Sequence, residues 1–310
     1  MGFCINRGDH IRLVYSEKET DAVKYAVKNL RRDLMRVLNA KINADVNLPM
    51  KEIYVGTAGV AEYAVCCKEM HKESFTIKVE DGKLFICGAD RRGTVYGIYD
   101  FCQYVLGVSP WYFFADVPVK EKYAVELPEG YEKTDYPSVE YRGIFINDEE
   151  ELEHWVQRYM GEETIGVKTY EHIFELLLRL KLNYIWPAMH VNSFNIKQEN
   201  GALANRMGIV VGTSHCDMLM RSNNREWKPW IQKKGYEGVE YDYSIPGRNR
   251  EILQEYWRES VEQNKDFEVS YTLGMRGIHD SGFEVRGLEG KTGEELLKAK
   301  IQLLNDVMSY

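Results

Sequence analysis

From residue 139 onward, strand-length apolar runs alternate four times with helix-length amphipathic runs. VEYRGIFIND precedes KTYEHIFELLLRLK, LNYIWPAMH precedes a short helix over 198–207, GIVVGTSH precedes NREILQEYWRESVEQN, and EVSYTLGMR precedes TGEELLKAKIQLLNDVM. Such alternation demands a parallel sheet, because each crossover helix carries the chain back along the sheet before the next strand begins. Two architectures meet that demand, an open doubly wound sheet and a barrel. The first strand-to-helix turn has no GxGxxG, which argues against a dinucleotide crevice. A barrel needs eight units. The expected fold is therefore α/β: an N-terminal α+β domain followed by the first half, four β/α units, of a TIM-type (β/α)8 barrel, with the chain truncated within the fold. The helices carry inward stripes at Tyr170, Ile173, Phe174, Leu177 and Leu180, at Ile252, Leu253, Tyr256, Trp257 and Val261, and at Leu297, Ile301, Leu304 and Met308. Asn249 is read as the cap of the third helix, and Thr292 with Glu295 as a capping box for the fourth.

The N-terminal portion follows another rhythm. Residues 20–38 form a helical pattern, with Thr20 as cap and Val23, Val27, Leu30, Leu34 and Val37 on one face. EIYVGTAG reads as a strand. In FTIKVEDGKLFICG, period-two alternation on both sides of Asp81-Gly82 predicts a hairpin. RRGTVYGIYDFCQYVLG is a helix ended by Gly107. LPEGYEKTDYP, 127–137, reads as a linker. The domains are accordingly placed at 1–130, an N-terminal α+β domain, and 131–310, a partial (β/α) barrel.

Composition excludes several function classes. The formal charge is −8 and no basic tract stands out, so nucleic acid is not an expected partner. The absence of a long apolar run argues against a membrane span. The N-terminus lacks the apolar core of a secretory signal, so a cytoplasmic location is expected. Its Met-Gly start does not fit myristoylation, because Asn6 stands where that motif takes Ser or Thr. The six cysteines have no zinc-type spacing and are read as reduced, buried thiols.

All four strands switch from apolar to ionisable at their C-terminal ends, where parallel β/α folds carry their chemistry. The first ends in Asn147, Asp148, Glu149 and Glu150, the second in Trp186 through His190, the third in Ser214, His215, Cys216 and Asp217, and the fourth in Arg276, His279 and Asp280. Each residue alone has an ordinary explanation. Asp148 can cap a turn, His190 and His215 can be structural histidines, and Arg276 can pair with Asp280. Four loops converging on one rim is the observation that points to a site. A divalent ion held by His190, His215, Asp217 and Asp280 also fits the residue types, but neither HxH nor HExxH occurs and Arg276 would oppose a cation. The binding of neither metal nor cofactor is expected. REWKPW, 225–230, reads as an aromatic loop, either a sugar platform or a cover packed over the rim.

FINDEE, YIWPAMH, GIVVGTSHCDML, NREW, YDYSIPGRN, YWRESVEQN and YTLGMRGIHDSGF, in that order over 139–285, resemble glycoside hydrolase family 115, the xylan α-glucuronidases. FTIKVEDGKLFICGADRRGTVYGIYDF and LGVSPWYFF resemble the domain that precedes the barrel in that family and in some other sugar hydrolases. The resemblance implies inverting hydrolysis of the bond between (4-O-methyl)glucuronic acid and xylose, with glucuronoxylan or aldouronic oligosaccharides as partners and no cofactor. It assigns Asp280, in the RGxxD pattern, as a catalytic carboxylate, acid or base. Arg276 would grip the uronate, and Asp148 and His215 would contact substrate. His190 and Trp186 are weaker substrate-binding transfers, and Asp217 and His279 are further substrate-binding candidates. The family commonly reads SHHEPM where this chain has Ser214-His215-Cys216-Asp217-Met218-Leu219. The family is often exported, and a homodimer through regions outside these residues is possible. Two alternatives remain open: a uronosyl-binding fragment without catalysis, and a barrel glycosidase of another specificity, against which the lack of a paired Asp-Glu at the fourth strand argues.

Overall fold

A computed structural model describes residues 2–43, 49–67, 70–147, 149–277 and 281–309, without the side chain of Cys66. The chain divides into two compact units. One comprises 1–142, 172–183 and 206–208, and the other 143–171, 184–205 and 209–310.

The first unit is built on a six-stranded mixed sheet. Its strands are β2 (His10–Val14), β3 (Lys41–Ile42), β4 (Lys51–Thr57), β5 (Phe75–Glu80), β6 (Lys83–Gly88) and β8 (Glu132–Asp135), in the order β3-β2-β4-β6-β5-β8. β2, β3, β4 and β6 are parallel, whereas β5 runs antiparallel to both its neighbours. β1 (Phe3–Asn6) and β7 (Ala124–Leu127) form a separate antiparallel pair. The expected hairpin is β5–β6, and Asp81 and Gly82 at its tip have φ of 51° and 68°, the left-handed pair that matches strand twist. Helix α1 (Asp21–Leu38) buries the five predicted residues; Thr20 stands at its N-cap without a side-chain hydrogen bond. Helix α2 (Arg91–Asp100) is capped by the Asp90 carboxylate, runs on as a π-turn to Leu106, and ends at Gly107 with φ 83°. The stretch 127–137 is not a linker: it contains β8, which pairs with β5. The unit also holds a buried ion network. Arg179 donates to Asp33 (2.7 Å) and Glu175 (2.8 Å), and Arg32 also reaches Glu175.

The second unit contains a three-stranded parallel sheet of β9 (Gly143–Phe145), β10 (Tyr184–Trp186) and β11 (Val210–Val211), in the order β11-β10-β9. Each strand is added beside the one before it. The expected fourth strand is reduced to a single parallel bridge between Val211 and Val269, with Ser270 N donating to Val211 O and Val211 N to Glu268 O. Two glycines permit the close approach of these strands. A Cβ on Gly143 would lie 2.1 Å from the Tyr184 carbonyl oxygen, and one on Gly212 would lie 1.9 Å from the Tyr184 hydroxyl.

Helices α3 (Glu150–Trp155), α4 (Val167–Arg179), α5 (Gln198–Met207), α6 (Trp227–Lys234), α7 (Arg248–Asn264) and α8 (Gly293–Ser309) complete the chain. Several sequence expectations are corrected here. WKPW opens helix α6, and Trp227 and Trp230 are buried in the core with Tyr243, Tyr256 and Trp257, so they form no exposed platform. Gly247 occupies the N-cap position of α7; Asn249 lies inside the helix, where its amide bonds Glu240 and Asp242. Glu295 pairs with Lys291 (2.5 Å). Helix α8 buries Leu303 and Val307, while Leu297, Ile301 and Met308 of the expected stripe are exposed. The helix carries apolar residues on more than one face, so periodicity alone did not fix the side that packs.

Candidate active site

The C-terminal ends of the parallel strands enclose a cavity of about 190 Å³. Asn147 follows β9, Met189 and His190 follow β10, and Ser214 through Asp217 follow β11; Ser222, Asn223 and Asn224 close the remaining wall. Three of the sequence-predicted site residues, His190, His215 and Asp217, are thus brought to one cavity. Asp148, His279 and Asp280 lie outside the described residues. Trp186 is not part of the wall. It stacks edge-on against Phe145, which is, and donates its indole N–H to the Tyr184 hydroxyl (3.1 Å) above Gly212. Trp186 therefore shares a sheet face with Tyr184, opposite the buried Ile185, as strand alternation directs.

The turn after β11 is fixed by hydroxyls. Thr213 Oγ1 donates to the Asp217 carbonyl (2.8 Å), and Thr272 Oγ1 donates to the Thr213 carbonyl (2.6 Å), which ties the 268–272 segment to the turn. The wall residues 222–224 are set by two successive left-handed residues, Leu219 (φ 51°) and Met220 (φ 62°). Such backbone persists only where the surroundings hold it. Leu219 N donates to Thr272 O, and Asn195 Nδ2 to Met220 O. Arg221 then reaches back to Glu226 (2.8 Å) and lies over the Tyr256 ring, with Ser193 Oγ donating to the same carboxylate. Asn223 donates its amide to the Arg276 and Gly277 carbonyls at 3.3 and 3.0 Å, which anchors the Arg276 segment to the cavity wall.

The electrostatics centre on Asp217. This carboxyl is buried, and the buried acids Glu149 and Glu226 lie near it. Burial first, and these two neighbours second, push it up from 3.8 to about 8. It is a neutral carboxylic acid at neutral pH, and so a hydrogen-bond and proton donor. Glu149 accepts from Val191 N (2.6 Å) and Asn192 N (3.2 Å) through Oε1. His190 Nδ1 stands 2.9 Å from Glu150 Oε1 at the rim. Among the described residues no three His, Cys, Asp or Glu side chains converge as a metal cage requires.

Sequence reasoning overlooked Asn223 and Glu226. Both lie in a polar stretch, SNNRE, where nothing in the spacing separates buried amides and acids from solvated ones.

The sequence profile of glycosyl hydrolase family 115 matches residues 134–310, and that of the glycosyl hydrolase family 67 N-terminus matches residues 6–101. No curated protein matches the chain. Among solved structures, BtGH115A, described as a family 115 4-O-methyl-α-glucuronidase with specificity for decorated arabinogalactans, is 34% identical with a TM-score of 0.84 over 99% of this chain. This chain spans 40% of the length of that one. The Flavobacterium johnsoniae chitobiase FjGH20 is 15% identical with a TM-score of 0.54, over 100% of this chain and 48% of that one, a likeness of fold alone.

Proposed function

Since this chain belongs to glycosyl hydrolase family 115, we propose that it carries the front part of an inverting α-glucuronidase. The enzyme would release (4-O-methyl)glucuronic acid from a decorated polysaccharide or its oligosaccharides. The cavity at the strand ends is the observation that supports this reading, because it joins a neutral carboxylic acid, two histidines and amide groups; Arg276 does not line it, and its backbone carbonyl is bonded by the wall residue Asn223. The three parallel strands, each beside its predecessor, and the 268–272 segment bridged to the last of them, are on this reading the first four strands of a (β/α)8 barrel.

Each group has a role suited to its chemistry. The planar guanidinium of Arg276 pairs with the uronate carboxylate, which it can meet with two parallel hydrogen bonds. Asp217, protonated at neutral pH, gives its proton to the leaving glycosidic oxygen. Asp280, four residues after Arg276, is the carboxylate that activates water on the opposite face of the sugar, as inversion requires. His215 and Asn147 bind sugar hydroxyls. The reading rests on 34% identity to a relative of which this chain spans 40%.

The test is to incubate the protein with aldouronic oligosaccharides and follow the anomeric protons by NMR. Inversion of an α-linkage delivers the β-anomer of free glucuronic acid first, and Asp217→Asn and Asp280→Asn each stop its release. Initial release of the α-anomer would exclude the inverting route. Glucuronate binding with no release by the wild type would leave a uronosyl-binding module in place of the enzyme.

A further inference from the structure

The thiols of this chain do not all share the buried setting that the sequence leads one to expect. Cys67, Cys87 and Cys102 are buried, while Cys4 and Cys216 are partly exposed. A cysteine reacts as its thiolate, so exposure and proton affinity together decide which one a reagent finds. Cys102 is closed on both counts: it is fully buried, and burial first, then Asp33, push its thiol well above the usual range. Cys87 donates to the Tyr63 carbonyl (3.8 Å) from inside the core. Cys4 reaches solvent, but its Sγ lies 3.7 Å from Glu126 Oε1, and burial and that carboxylate raise it.

Cys216 differs in place and in company. It lines the strand-end cavity of about 190 Å³. The other ionisable side chains in that wall, among the described residues, are His190, His215 and Asp217. Asp217 is neutral at neutral pH, because burial, Glu226 and Glu149 push it up to about 8. No carboxylate in the described wall therefore opposes loss of the thiol proton. Glu149 and Glu226 are themselves buried and do not line the cavity.

Asp217 also marks this space as a place for a ligand. It is 6% exposed, and among the described residues its carboxyl makes no hydrogen bond, yet it opens to the cavity and is not sealed off. A buried carboxylic acid in that condition is satisfied by what enters the cavity. The thiol and the acid line one small space, so a molecule that occupies it also covers Cys216.

We propose that Cys216 is a covalent modification site for small soft electrophiles, set in the wall of the candidate active site. With an alkyl halide such as iodoacetamide, the thiolate sulfur attacks the methylene carbon. A C–S bond forms as the C–I bond breaks, iodide leaves with the electron pair, and the thiol proton passes to buffer. The modification is independent of the uronosyl reading. Glucuronate as the ligand that competes with it rests on that reading: the adduct takes space that the sugar needs, so each excludes the other.

The test is alkylation of the native protein with iodoacetamide at neutral pH, read by peptide mass spectrometry. The same protein unfolded in urea gives each thiol's own rate. Cys66, whose side chain lies outside the described residues, is left out of the comparison. In the folded protein Cys216 should react at least about ten-fold faster than Cys67, Cys87 and Cys102, which wait on local opening, and ahead of Cys4. In urea the five rates should converge. Saturating glucuronate should slow Cys216 and no other thiol. By isothermal titration the singly alkylated wild type should lose at least about ten-fold in glucuronate affinity, equivalent to about 1.4 kcal/mol. Cys216→Ser, whatever affinity it starts from, should keep it through the same treatment. The proposal is overturned if Cys216 reacts no faster than the buried thiols, if Cys4 takes the first adduct, or if bound glucuronate and the adduct do not exclude each other. Selective alkylation of Cys216 in a wild type that binds no glucuronate would uphold the modification site and remove the uronosyl reading.

Discussion

Asp217→Asn keeps the shape of the side chain and removes its ability to ionise, so it isolates one electrostatic term. In the unfolded chain this carboxyl releases its proton near 3.8, and in the folded protein near 8. Below pH 3.8 both states hold the proton and the group contributes its full stability. Between the two values the folded state holds a proton that the unfolded state has lost, so stability falls as pH rises, by about 1.36 kcal/mol per pH unit. From pH 4 to pH 7 the loss is at most on the order of 4 kcal/mol, and water penetration and relaxation reduce it to roughly 2–4 kcal/mol. Asparagine has no such dependence. Ionisable groups remote from Asp217 are common to both proteins and cancel in the difference. Thermal melts from pH 4 to pH 8 should therefore show the variant gaining on the wild type by roughly 5–15 °C between pH 4 and pH 7. Parallel curves for the two proteins across that range would refute the claim that Asp217 is held protonated.

Other outcomes follow from packing and from pairing. Gly143→Ala puts a methyl 2.1 Å from the Tyr184 carbonyl oxygen and should destabilise the second unit by about 3 kcal/mol or more, measured by urea titration, whereas Gly282→Ala should be neutral. Glu226→Ala leaves Arg221, whose side chain is 10% exposed, with only the longer pairing to Glu259 at 3.7 Å. It should cost on the order of 3–5 kcal/mol and weaken glucuronate binding, because the 222–224 wall loses its anchor. In the first unit, Arg179→Met strips Asp33 and Glu175 of the buried one of their two cations, leaving Arg32, and should cost on the order of 3 kcal/mol at neutral pH. That cost should shrink as pH falls, because burial raises the Glu175 carboxyl but Arg179 and Arg32 more than offset it in the wild type. Hydrogen exchange in helix α1 reads this loss.

The elements visible in the sequence are those whose local chemistry has one solution. Asp81-Gly82 takes left-handed φ at both positions, and its flanking alternation sets the strand faces, so the hairpin can be read directly. Helix α1 has a single apolar stripe and buries it. Where two readings share a pattern, tertiary context decides. Pro229 marks WKPW as irregular, yet in α6 it is the third residue, where its missing N–H has no partner to lose. The charged 132–135 segment resembles a linker, but Glu132–Asp135 is the edge strand of its sheet, and edge strands carry such charges. EVSYTLGMR has strand alternation, but its backbone bonds go to Val211 at one end and to Leu219 at the other, which leaves one bridge in place of a ladder. The site was legible as four polar strand ends. Which acid is buried was not: Glu149 is 1% exposed and its neighbour Glu150 faces His190 at the rim, although the two are adjacent and identical in type.

The account stands on a uronate bound at the strand ends through Arg276. Isothermal titration of glucuronate against glucose, with wild type and Arg276→Ala, addresses this directly. The expected result is that the wild type binds glucuronate and discriminates against glucose by roughly 10–100-fold, the worth of a charge-assisted hydrogen-bonded pair, and that the variant loses this discrimination. Equal affinity for the two sugars in the wild type, or discrimination that survives Arg276→Ala, would contradict it.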